Sequence, residues 1–552
     1  MRSAAIRMAV MLAAWAMLAT GVARARDPEQ VARIPLGPMG YQTQLPEFLL
    51  GGSSMLTVHF VDADHLLITF GLRQLMKREE GDPPDDDDRM VGADLVELTS
   101  GKVLAQTQWR MHDRGQYLWS LGHGRFLLRM RDQLKLLAPM QGAAAGGAFR
   151  ELPLLHMNRT LVALQVSADG DLLTVETTDR PPGGTGGVNL GTVADPARTN
   201  PSPVQINFYR LIGKGEDAGN LVVAAAGVVR AHTAVDIPMT TAGFLDVIEG
   251  GKDRWLFNFD EHTGKVDELA EWDTTCLPQS TFIGHSEFVA IGCRGGADRQ
   301  ELAGFNLKGE EMWQQNFLDT QAAVTISFAP AAGRFALGRI VVKGPYDPDG
   351  SLTETSVSAQ EVRVLQSYDG KQVFRIDCTP VERAGQNFAL SDDGMRLAVV
   401  RETTVHHNAT KDYDEYTENE AAVEVYALPP LTEQDQAAVK QAEAQAPQDT
   451  GARIDQSLER ISTPAAAQAA SFSSTATDAT TSAPGAAIGP AATTATAPSA
   501  MGAGSTAQAA ATVGEQGAPA GAVVQGDPEP GTVRKRPSLY GPDETPSESP
   551  SK

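Results

Sequence analysis

The chain has 552 residues, of which 69 are Asp or Glu and 46 are Lys or Arg, so its formal net charge is −23. This excess of negative charge argues against general nucleic-acid binding and against docking on an anionic membrane surface. The length is too great for one ordinary domain and favours a repeat protein or a large all-β body.

Residues 1–25 have the organisation of a secretory signal peptide. Arg2 and Arg7 give a positive start, the apolar run Met8–Thr20 is too short to span a membrane, and small residues lead to an expected cleavage before Arg26. An uncleaved N-terminal anchor is the alternative. No later run approaches the roughly 20 apolar residues of a spanning helix. We therefore expect a periplasmic or secreted protein with no integral membrane segment after cleavage.

Residues 26–430 have the pattern of β-strands, with short apolar or alternating runs bounded by Gly, Asp, Asn and Pro. A turn followed by an apolar strand recurs, as in "VSADGDLLTVE" from Val166 and "LSDDGMRLAVVR" from Leu390, and another short strand usually precedes it. The unit near Leu221 is the least well formed. The predicted units begin near Met55, Tyr117, Leu161, Leu221, Ser280, Ala323 and Gln386.

A Gly-Lys turn recurs between two further strands of these units. It occurs in "LTSGKVLAQTQW" from Leu98, "EHTGKVDELAEW" from Glu261 and "SYDGKQVFRI" from Ser367, with a degenerate copy, "NLKGEEMWQQ", from Asn306. Glycine at such a turn supplies the positive φ that a tight hairpin requires. Each unit is therefore predicted to be a four-stranded sheet whose third and fourth strands are joined by this turn.

Small sheets with two apolar faces cannot bury them alone, so successive units should stack until they close a ring. The last unit supplies three strands, and the run Val31–Gly37 is the candidate for its fourth, since closure by an N-terminal strand leaves no open edge. The sequence therefore predicts an all-β fold, a seven-bladed β-propeller, with six or eight blades as alternatives. Packing between blades is the interpretation for Trp109, Trp119, Trp255, Trp272 and Trp313.

The turn phrases resemble those of the WD-repeat-like and quinoprotein-like superfamily of β-propellers. The residues that carry the resemblance are "SADG", "SDDG" and "FAP" before apolar strands and the "SGK", "TGK" and "DGK" hairpins, over the range Val31–Pro430. The Gly-His to Trp-Asp pairing of typical WD repeats is absent. The segment Trp109–Arg129 is also similar to exported propellers of soil Acidobacteria, a group whose likeness implies no particular activity.

The three cysteines leave two arrangements open. Cys276 and Cys293 flank one predicted hairpin and can meet across neighbouring strands in a disulfide, which export permits, with Cys378 left over. Three buried thiols are the alternative, because free cysteine packs as a small apolar residue.

No catalytic, cofactor-binding or metal-binding residue is predicted, and no cofactor. Four motifs come nearest: "DPPDDDDRM" (Asp82–Met90) for calcium, "HHNATKDYDEY" (His406–Tyr416) for a transition metal, "GHSEF" (Gly284–Phe288) for a nucleophile and "RPPGGTGGVNLGT" (Arg180–Thr192) for a phosphate. Each lacks the spacing or the structural context that its chemistry requires, and each is better interpreted as a turn or an exposed loop.

The predicted function is that of an exported, non-enzymatic scaffold, which binds a protein or peptide partner at a rim or at the central mouth. The insertions Lys77–Val91, Thr178–Val204 and Lys343–Val357 would decorate the rims, where such scaffolds bind. One alternative is a hydrolase or lyase that acts on an extracytoplasmic polymer, and another is an envelope-assembly scaffold. The candidate residues of the enzyme are Asp62, Asp64, His65, Asp169, Asp392 and Asp393.

After Pro430 the composition changes to Ala, Thr, Ser, Pro, Gly and Gln. Residues 431–552 contain few large apolar side chains and cannot offset the entropy cost of ordering, so a disordered C-terminal tail that acts as a tether is predicted. Its basic cluster, Arg534 to Arg536, is interpreted as a solvated part of this tail.

Overall fold

Seven four-stranded antiparallel sheets make up the fold in the computed structural model. The model describes residues 29–42, 55–72, 74, 89–111, 116–131, 133–137, 140–168, 170–178, 204–212, 222–231, 237–261, 265–294, 299–318, 325–342, 357–378, 387–408 and 415–448. Each sheet is one blade, and we number the blades 1 to 7 in chain order.

The strands follow one another along the chain from the inner to the outer strand of each blade. Blade 1 consists of β2 (Thr57–Phe60), β3 (His65–Leu72), β4 (Arg89–Glu97) and β5 (Val103–Met111). Blade 2 consists of β6 (Leu118–Ser120), β7 (Phe126–Met130), β8 (Gln133–Leu137) and β9 (Glu151–His156). Blade 3 consists of β10 (Thr160–Val166), β11 (Leu172–Thr178), β12 (Val204–Ile212) and β13 (Val222–Ala231). Blade 4 consists of β14 (Met239–Thr240), β15 (Gly243–Gly251), β16 (Arg254–Glu261) and β17 (Val266–Trp272). Blade 5 consists of β18 (Gln279–Phe282), β19 (Glu287–Cys293), β20 (Arg299–Asn306) and β21 (Glu311–Leu318). Blade 6 consists of β22 (Thr325–Ala329), β23 (Arg334–Val342), β24 (Val357–Gln366) and β25 (Gln372–Cys378).

Blade 7 takes its outer strand from the beginning of the chain. It consists of β26 (Phe388–Leu390), β27 (Arg396–His407) and β28 (Tyr416–Ala427), and β1 (Gln30–Pro35) pairs with the free edge of β28. The pairing runs antiparallel from Gln30 opposite Tyr426 to Pro35 opposite Ala422. The predicted all-β fold, its seven blades and its closure by the N-terminal strand are therefore confirmed.

The position of a strand in its blade explains its sequence pattern. In β3 every residue from Leu66 to Phe70 is buried, because neighbouring blades cover both faces of an interior strand. The outer strand β17 alternates between exposed and more buried positions, because one of its edges and much of its surface face solvent. The interior strand β3 is thus a nearly continuous apolar run, whereas β17, which follows a Gly-Lys turn, alternates.

The hydrophobic core is divided among the seven interfaces between neighbouring blades. Blades 4 and 5, for example, meet in a group of aromatic rings in which Phe288 and Phe305 stack at 5.3 Å between centroids. Blades 7 and 1 share a cluster that includes Ile34 of β1, so the joint that closes the ring has a core of its own. Of the five tryptophans that were assigned to packing between blades, Trp255 is half-buried and four are buried at such interfaces: Trp109, Trp119, Trp272 and Trp313.

The predicted start of a unit near Leu221 is wrong. Val222–Ala231 is β13, the outer strand of blade 3, and blade 4 begins at β14. The error has two causes: a long connection separates β11 from β12, and β14 is only two residues long. The other six predicted starts lie within two residues of an inner strand.

The Gly-Lys turns join the third and fourth strands of their blades, as predicted. Gly101, Gly309 and Gly370 all have positive φ, between 66° and 84°. Gly309 of blade 5 is also packed against blade 4, because a Cβ atom there would clash with the backbone oxygen of Leu269 on β17. At Gly101, by contrast, nothing lies within 4 Å of such an atom.

Gly309→Ala is expected to destabilise the protein more than Gly101→Ala. Both substitutions incur the cost of about 1–2 kcal/mol for a side chain at positive φ. Only Gly309→Ala adds a clash with backbone, which requires blades 4 and 5 to separate and should add about 1–3 kcal/mol. Urea unfolding of the two variants checks this, and equal losses of unfolding free energy would contradict the close packing at Gly309.

The ordered chain continues past Pro430, which corrects the expected start of the tail. Besides the short helix α1 (Gln141–Ala144), the structure contains α2 (Glu433–Gln445), which begins with a capping box between Thr432 and Asp435. Tyr368 donates a hydrogen bond to Asp435 at 3.0 Å, and Ser286 donates one to the carbonyl oxygen of Ala442 at 2.7 Å. The low hydrophobicity of this segment concealed a helix that polar contacts and caps hold on blades 5 and 6. Residues 449–552 of the predicted tail lie outside the described residues.

Candidate functional site

The antiparallel order of the strands assigns the connections of each blade to two opposite ends of the ring. The turns from first to second and from third to fourth strand lie at one end, which we call the turn face. The connections from second to third strand and from blade to blade lie at the other end, the insertion face.

All three long insertions begin and end on the insertion face. They connect β3 to β4, β11 to β12 and β23 to β24, which are second and third strands in each case. Nearly all of their residues lie outside the described part of the chain, as do most of the acidic run Asp82–Met90 and the whole of the glycine-rich segment Arg180–Thr192. Their points of attachment nevertheless identify the insertion face as the end where the chain departs most from a minimal propeller.

A cross-linked loop lies on the insertion face between blades 4 and 5. The structure joins Cys276 in this loop to Cys293 at the end of β19 by a disulfide, with a Cα–Cα distance of 5.4 Å. The backbone amide of Thr275 donates to the carbonyl oxygen of Cys293 at 2.8 Å, and the Thr274 hydroxyl donates to that of Cys276 at 2.7 Å. The loop is thus fixed by a covalent bond and by hydrogen bonds, and Cys378 remains a buried free thiol elsewhere.

Leu277 projects from this loop into solvent. Its side chain is 56% exposed, the largest value among the exposed large apolar side chains of the described residues. An apolar side chain on a preorganised loop loses little conformational entropy when a partner covers it. Leu277 is therefore a candidate anchor for a partner on the insertion face.

Reduction of the disulfide is expected to lower the stability of the protein. The crosslink spans 17 residues, and closing a loop of this size removes about 3 kcal/mol of unfolded-state entropy. Thermal unfolding with and without dithiothreitol measures this effect, and a variant with Cys276→Ser and Cys293→Ser should melt at the same lower temperature in both conditions. An unchanged melting temperature on reduction would indicate that the crosslink does not form.

Three arginines converge on one buried glutamate in blade 6, a set we call the arginine cluster. Glu361 on β24 is fully buried and accepts from Arg339 Nε at 2.7 Å and from Arg363 Nε at 2.5 Å. Arg375 Nη2 on β25 forms an ion pair with the second oxygen of the same carboxylate. Arg339 and Arg363 are largely buried, whereas Arg375 is about half exposed.

The arginine cluster lies between blades 5 and 6, near the middle of the strands. Arg339 is the sixth of nine residues in β23 and Glu361 the fifth of ten in β24, and the two are opposite each other in the sheet. Leu337 is on the same face of β23 as Arg339 and packs with Trp313 of blade 5, so this face of the sheet is turned towards blade 5.

Burial and charge act in opposite directions on these groups. Burial opposes ionisation of Glu361, but hydrogen bonds from Arg363 and Arg339 outweigh it, so the pKa of Glu361 lies below its usual value. Burial lowers the pKa of Arg339, and the neighbouring charges of Arg363 and Arg375 lower it further, while Glu361 raises it. The cluster therefore holds like positive charges close together in a weakly hydrated place.

Five of the six residues proposed for an enzyme lie on the turn face, where they shape turns and link blades. Asp62 accepts from the amide of Asp64 at 2.8 Å and contacts His65 Nδ1 at the same distance. Asp393 accepts from the Ser391 hydroxyl at 2.6 Å. Asp64 forms an ion pair with Arg396 of blade 7 at 3.2 Å. These bonds are those of good turn formers, and Asp169 lies outside the described residues.

Two of the four sequence motifs that came nearest to a functional site can be placed in the structure. In "GHSEF" the Ser286 hydroxyl donates to α2, as described above, and the segment is the turn between β18 and β19. His406 and His407 end β27 on the insertion face, where His407 lies 3.7 Å from Glu418, and most of the residues after them lie outside the described part. Across the described ranges, no three His, Cys, Asp or Glu side chains are grouped closely enough to hold a metal ion.

Sequence reasoning did not identify the arginine cluster. The signal was a strand, "VSAQEVRVLQ", in which Glu361 and Arg363 occupy the positions that alternate with buried valines. In an interior strand both faces are buried, so two charged residues on one face require partners of opposite charge. The partners are on β23 and β25, and the insertion before β24 hides the register that brings them together.

Solved structures align with this chain at low sequence identity and with low TM-scores. No protein-family model and no curated protein matches the sequence. The C-terminal WD40 domain of Sif2 aligns at 8% identity with a TM-score of 0.29, over 73% of this chain and 99% of that one. TolB from Acinetobacter baumannii aligns at 9% identity with a TM-score of 0.29, over 65% and 79%.

Two further structures extend the range of neighbours. A quinoprotein alcohol dehydrogenase-like protein from Bacteroides thetaiotaomicron aligns at 9% identity with a TM-score of 0.29, over 58% of this chain and 65% of that one. An acylaminoacyl peptidase from Pyrococcus horikoshii aligns at 9% identity with a TM-score of 0.37, over 70% and 53%. The seven four-stranded sheets of the structure, and not these alignments, show that the fold is a propeller. The similarity of Trp109–Arg129 to Acidobacterial propellers stays a prediction.

In the part of the chain that the structure describes, no helix has the length and apolar character needed to cross a membrane.

Proposed function

We propose that the protein is an exported, non-catalytic scaffold that binds a protein or peptide partner on its insertion face. The observation that carries this proposal is the attachment of all three long insertions to that one face. Binding residues in rigid scaffolds concentrate on such connections, because the framework positions them without depending on their sequence.

The turn face is less suited to a partner, because the chain already covers or links much of it. The helix α2 contacts the turns of blades 5 and 6 through Ser286 and Tyr368. The backbone amide of His123 in blade 2 donates to Asp392 of blade 7 at 3.2 Å, and Arg396 links blade 7 to blade 1. Four carboxylates of the hydrolase or lyase alternative are engaged in contacts on this face, so we do not favour it: Asp62, Asp64, Asp392 and Asp393.

The cross-linked loop also favours the insertion face as the binding surface. It presents Leu277 on a segment that the Cys276–Cys293 bond holds in place, which reduces the entropy cost of binding. A disulfide also agrees with export, for which the signal-like residues 1–25 are the other support. Purification from the source cells with N-terminal sequencing tests this part, and the expected mature terminus is Arg26.

Partner binding is tested with Leu277→Asp and a matched control, Val266→Asp. Both replace an exposed apolar side chain, but Val266 lies on the outer strand of blade 4, away from the loop. Proteins that the wild type captures from envelope extract are identified and purified. The affinity of each for the wild type, Leu277→Asp and Val266→Asp is then measured. Leu277→Asp should weaken binding by about tenfold or more, and Val266→Asp should leave it unchanged.

Two outcomes would contradict the proposal. One is equal binding by Leu277→Asp and the wild type, which would remove the insertion-face loop from the interface. The other is turnover of glycan or ester substrates by the purified protein, which would establish a catalytic function.

A further inference from the structure

We propose that Trp255 and Glu249, two neighbouring residues on the insertion face of blade 4, bind a lysine or arginine side chain of the partner. We call these two residues the indole–carboxylate pair. The inference deepens the proposed function, on which it rests for the existence of a partner. Short peptides probe the pair directly, so the inference and the proposed function are tested separately.

The register of blade 4 places three side chains in one row at its insertion-face end. Glu249 on β15 lies opposite Trp255 on β16, and Trp255 lies opposite Trp272 on β17. Residues that are directly opposite in an antiparallel sheet are neighbours on one face of it. Trp272 packs against Phe305 of blade 5, with 5.8 Å between ring centroids, so this face is turned towards blade 5. The row thus runs from an exposed carboxylate through a half-buried indole to a buried one.

The indole of Trp255 is less engaged than those of two buried tryptophans. The N–H of Trp109 donates to Glu151 at 2.8 Å, and that of Trp313 donates to the carbonyl oxygen of Ser367 at 2.6 Å. Among the residues that the structure describes, none accepts a hydrogen bond from Trp255 or stacks on its ring. Because this side chain is only half-buried, part of its ring can be reached by a ligand.

Glu249 adds a negative charge beside this indole. Its side chain is exposed, and no described residue forms an ion pair or a hydrogen bond with it. The face of an indole attracts a cation, and a carboxylate next to it adds a charge-assisted hydrogen bond. Together they provide the chemistry that recognises an ammonium or guanidinium group.

The charge of the chain also favours a basic ligand. A net charge of −23 attracts cations at long range. Arg294, the exposed arginine that follows Cys293 in blade 5, is already paired with Glu301 at 2.7 Å. The turn between β15 and β16 adds one charge of each sign, on Lys252 and Asp253. The carboxylate of Glu249 therefore remains for a cation from outside.

Leu277 lies at the same end of the boundary between blades 4 and 5. The cross-linked loop that carries it begins directly after Trp272 and leads to β18. The loop is packed on blade 5, because a Cβ atom on Gly292 would lie 2.6 Å from Cγ2 of Thr274 and 2.9 Å from the Trp272 ring. We therefore expect the partner to present a basic side chain close to an apolar one, the first for the indole–carboxylate pair and the second for Leu277.

Glu271 provides a matched control for Glu249. It precedes Trp272 on β17, so it lies at the same end of blade 4 but on the opposite face. There it forms an exposed ion pair with Arg254 at 3.4 Å. Glu271→Gln thus removes the same charge from the same end of the blade without touching the indole–carboxylate pair.

Calorimetric titration of the full chain at low ionic strength measures the binding. The probes are the peptide acetyl-Leu-Ala-Arg-Ala-Leu-amide and the same peptide with glutamine in place of arginine. The variants are Glu249→Gln, Glu271→Gln, Trp255→Leu and Trp255→Phe. Phenylalanine keeps an aromatic face and leucine does not, so this last comparison separates the ring from the loss of bulk.

Wild type and Glu271→Gln are expected to bind the arginine peptide equally, and about tenfold more tightly than the glutamine peptide. Glu249→Gln should weaken binding of the arginine peptide about fivefold and leave that of the glutamine peptide unchanged. Trp255→Leu should weaken binding of the arginine peptide about tenfold, and Trp255→Phe should retain part of it.

Three outcomes would overturn the inference. They are no binding of the arginine peptide by the wild type, equal affinity of the wild type for the two peptides, and equal effects of Glu249→Gln and Glu271→Gln. None of them decides the proposed function, which the Leu277 experiment tests with the captured partner itself.

Discussion

Lowering the pH from about 7.5 to about 5 is expected to destabilise the propeller by about 2 kcal/mol through His59 alone. His59 is fully buried on β2, the inner strand of blade 1, with its ring 5.6 Å from that of Phe126 in blade 2. Within the described residues its Nε2 atom has no hydrogen-bond partner. Burial lowers the pKa of His59 from 6.5 to about 4, so the folded protein keeps this imidazole neutral.

The direction in which stability changes with pH follows from the protonation of His59 in the unfolded chain. There the imidazole takes up a proton near its ordinary pKa of 6.5, whereas the folded state takes it up only near 4. Stability from this group is therefore complete above pH 6.5, decreases as the pH falls towards 4, and is constant below that value. The full difference is about 3 kcal/mol, since each pKa unit corresponds to about 1.4 kcal/mol.

Urea unfolding across this pH range, in wild type and His59→Leu, measures the effect. The leucine variant removes the titrating group from an apolar site and should lose about 2 kcal/mol less than wild type between pH 7.5 and 5. The exposed His406→Gln is the control, and it should keep the pH dependence of wild type. Parallel stability curves for wild type and His59→Leu would show that His59 is not the group responsible.

Replacing Arg334 is expected to destabilise the protein by about 3–5 kcal/mol. This buried arginine on β23 donates to Gln366 Oε1 at 2.8 Å, to the carbonyl oxygen of Gly394 at 2.7 Å and to that of Pro429 at 2.8 Å. It therefore connects blade 6 to a turn of blade 7 and to the segment that leads into α2. Burial lowers the pKa of Arg334, while Asp435 and Asp393 raise it.

The matched variants are Arg334→Met, Arg334→Lys and Arg254→Met. Methionine keeps the apolar stem but leaves three acceptors without their donor, those of Gln366 and Gly394 being buried. Lysine keeps the charge and should recover part of the loss. Arg254→Met removes only an exposed ion pair and should change stability by less than about 1 kcal/mol. Urea midpoints and the rate of proteolysis within α2 measure these effects, and equal stabilities of the Arg334 and Arg254 variants would refute the connecting role.

The local patterns of the sequence were sufficient to place six of the seven blades. Glycine at positive φ and the alternation of outer strands are properties of a few neighbouring residues, so Gly101, Gly309 and Gly370 marked their hairpins correctly. Blade 4 was misplaced because its inner strand has two residues, too few for any periodicity. The helix α2 was not predicted because its binding depends on residues such as Ser286 and Tyr368, which are distant in sequence.

The arginine cluster escaped sequence analysis for a similar reason. Arg339, Glu361 and Arg375 belong to three strands, and only the register of β23, β24 and β25 brings them together. The disulfide was easier to anticipate, because Cys276 and Cys293 bracket a single hairpin and only one other cysteine competes for pairing.

The pairing of β1 with β28 also determines when this molecule can finish folding. Gln30 meets Tyr426, so the last joint connects segments about 400 residues apart, whereas most contacts inside blades 1 to 6 are between sequence neighbours. During synthesis from the N-terminus, β1 must wait unpaired until the final blade has emerged. Any truncation before β28 thus leaves Ile34 and its partners in blade 1 exposed, and such fragments should be held by chaperones or aggregate.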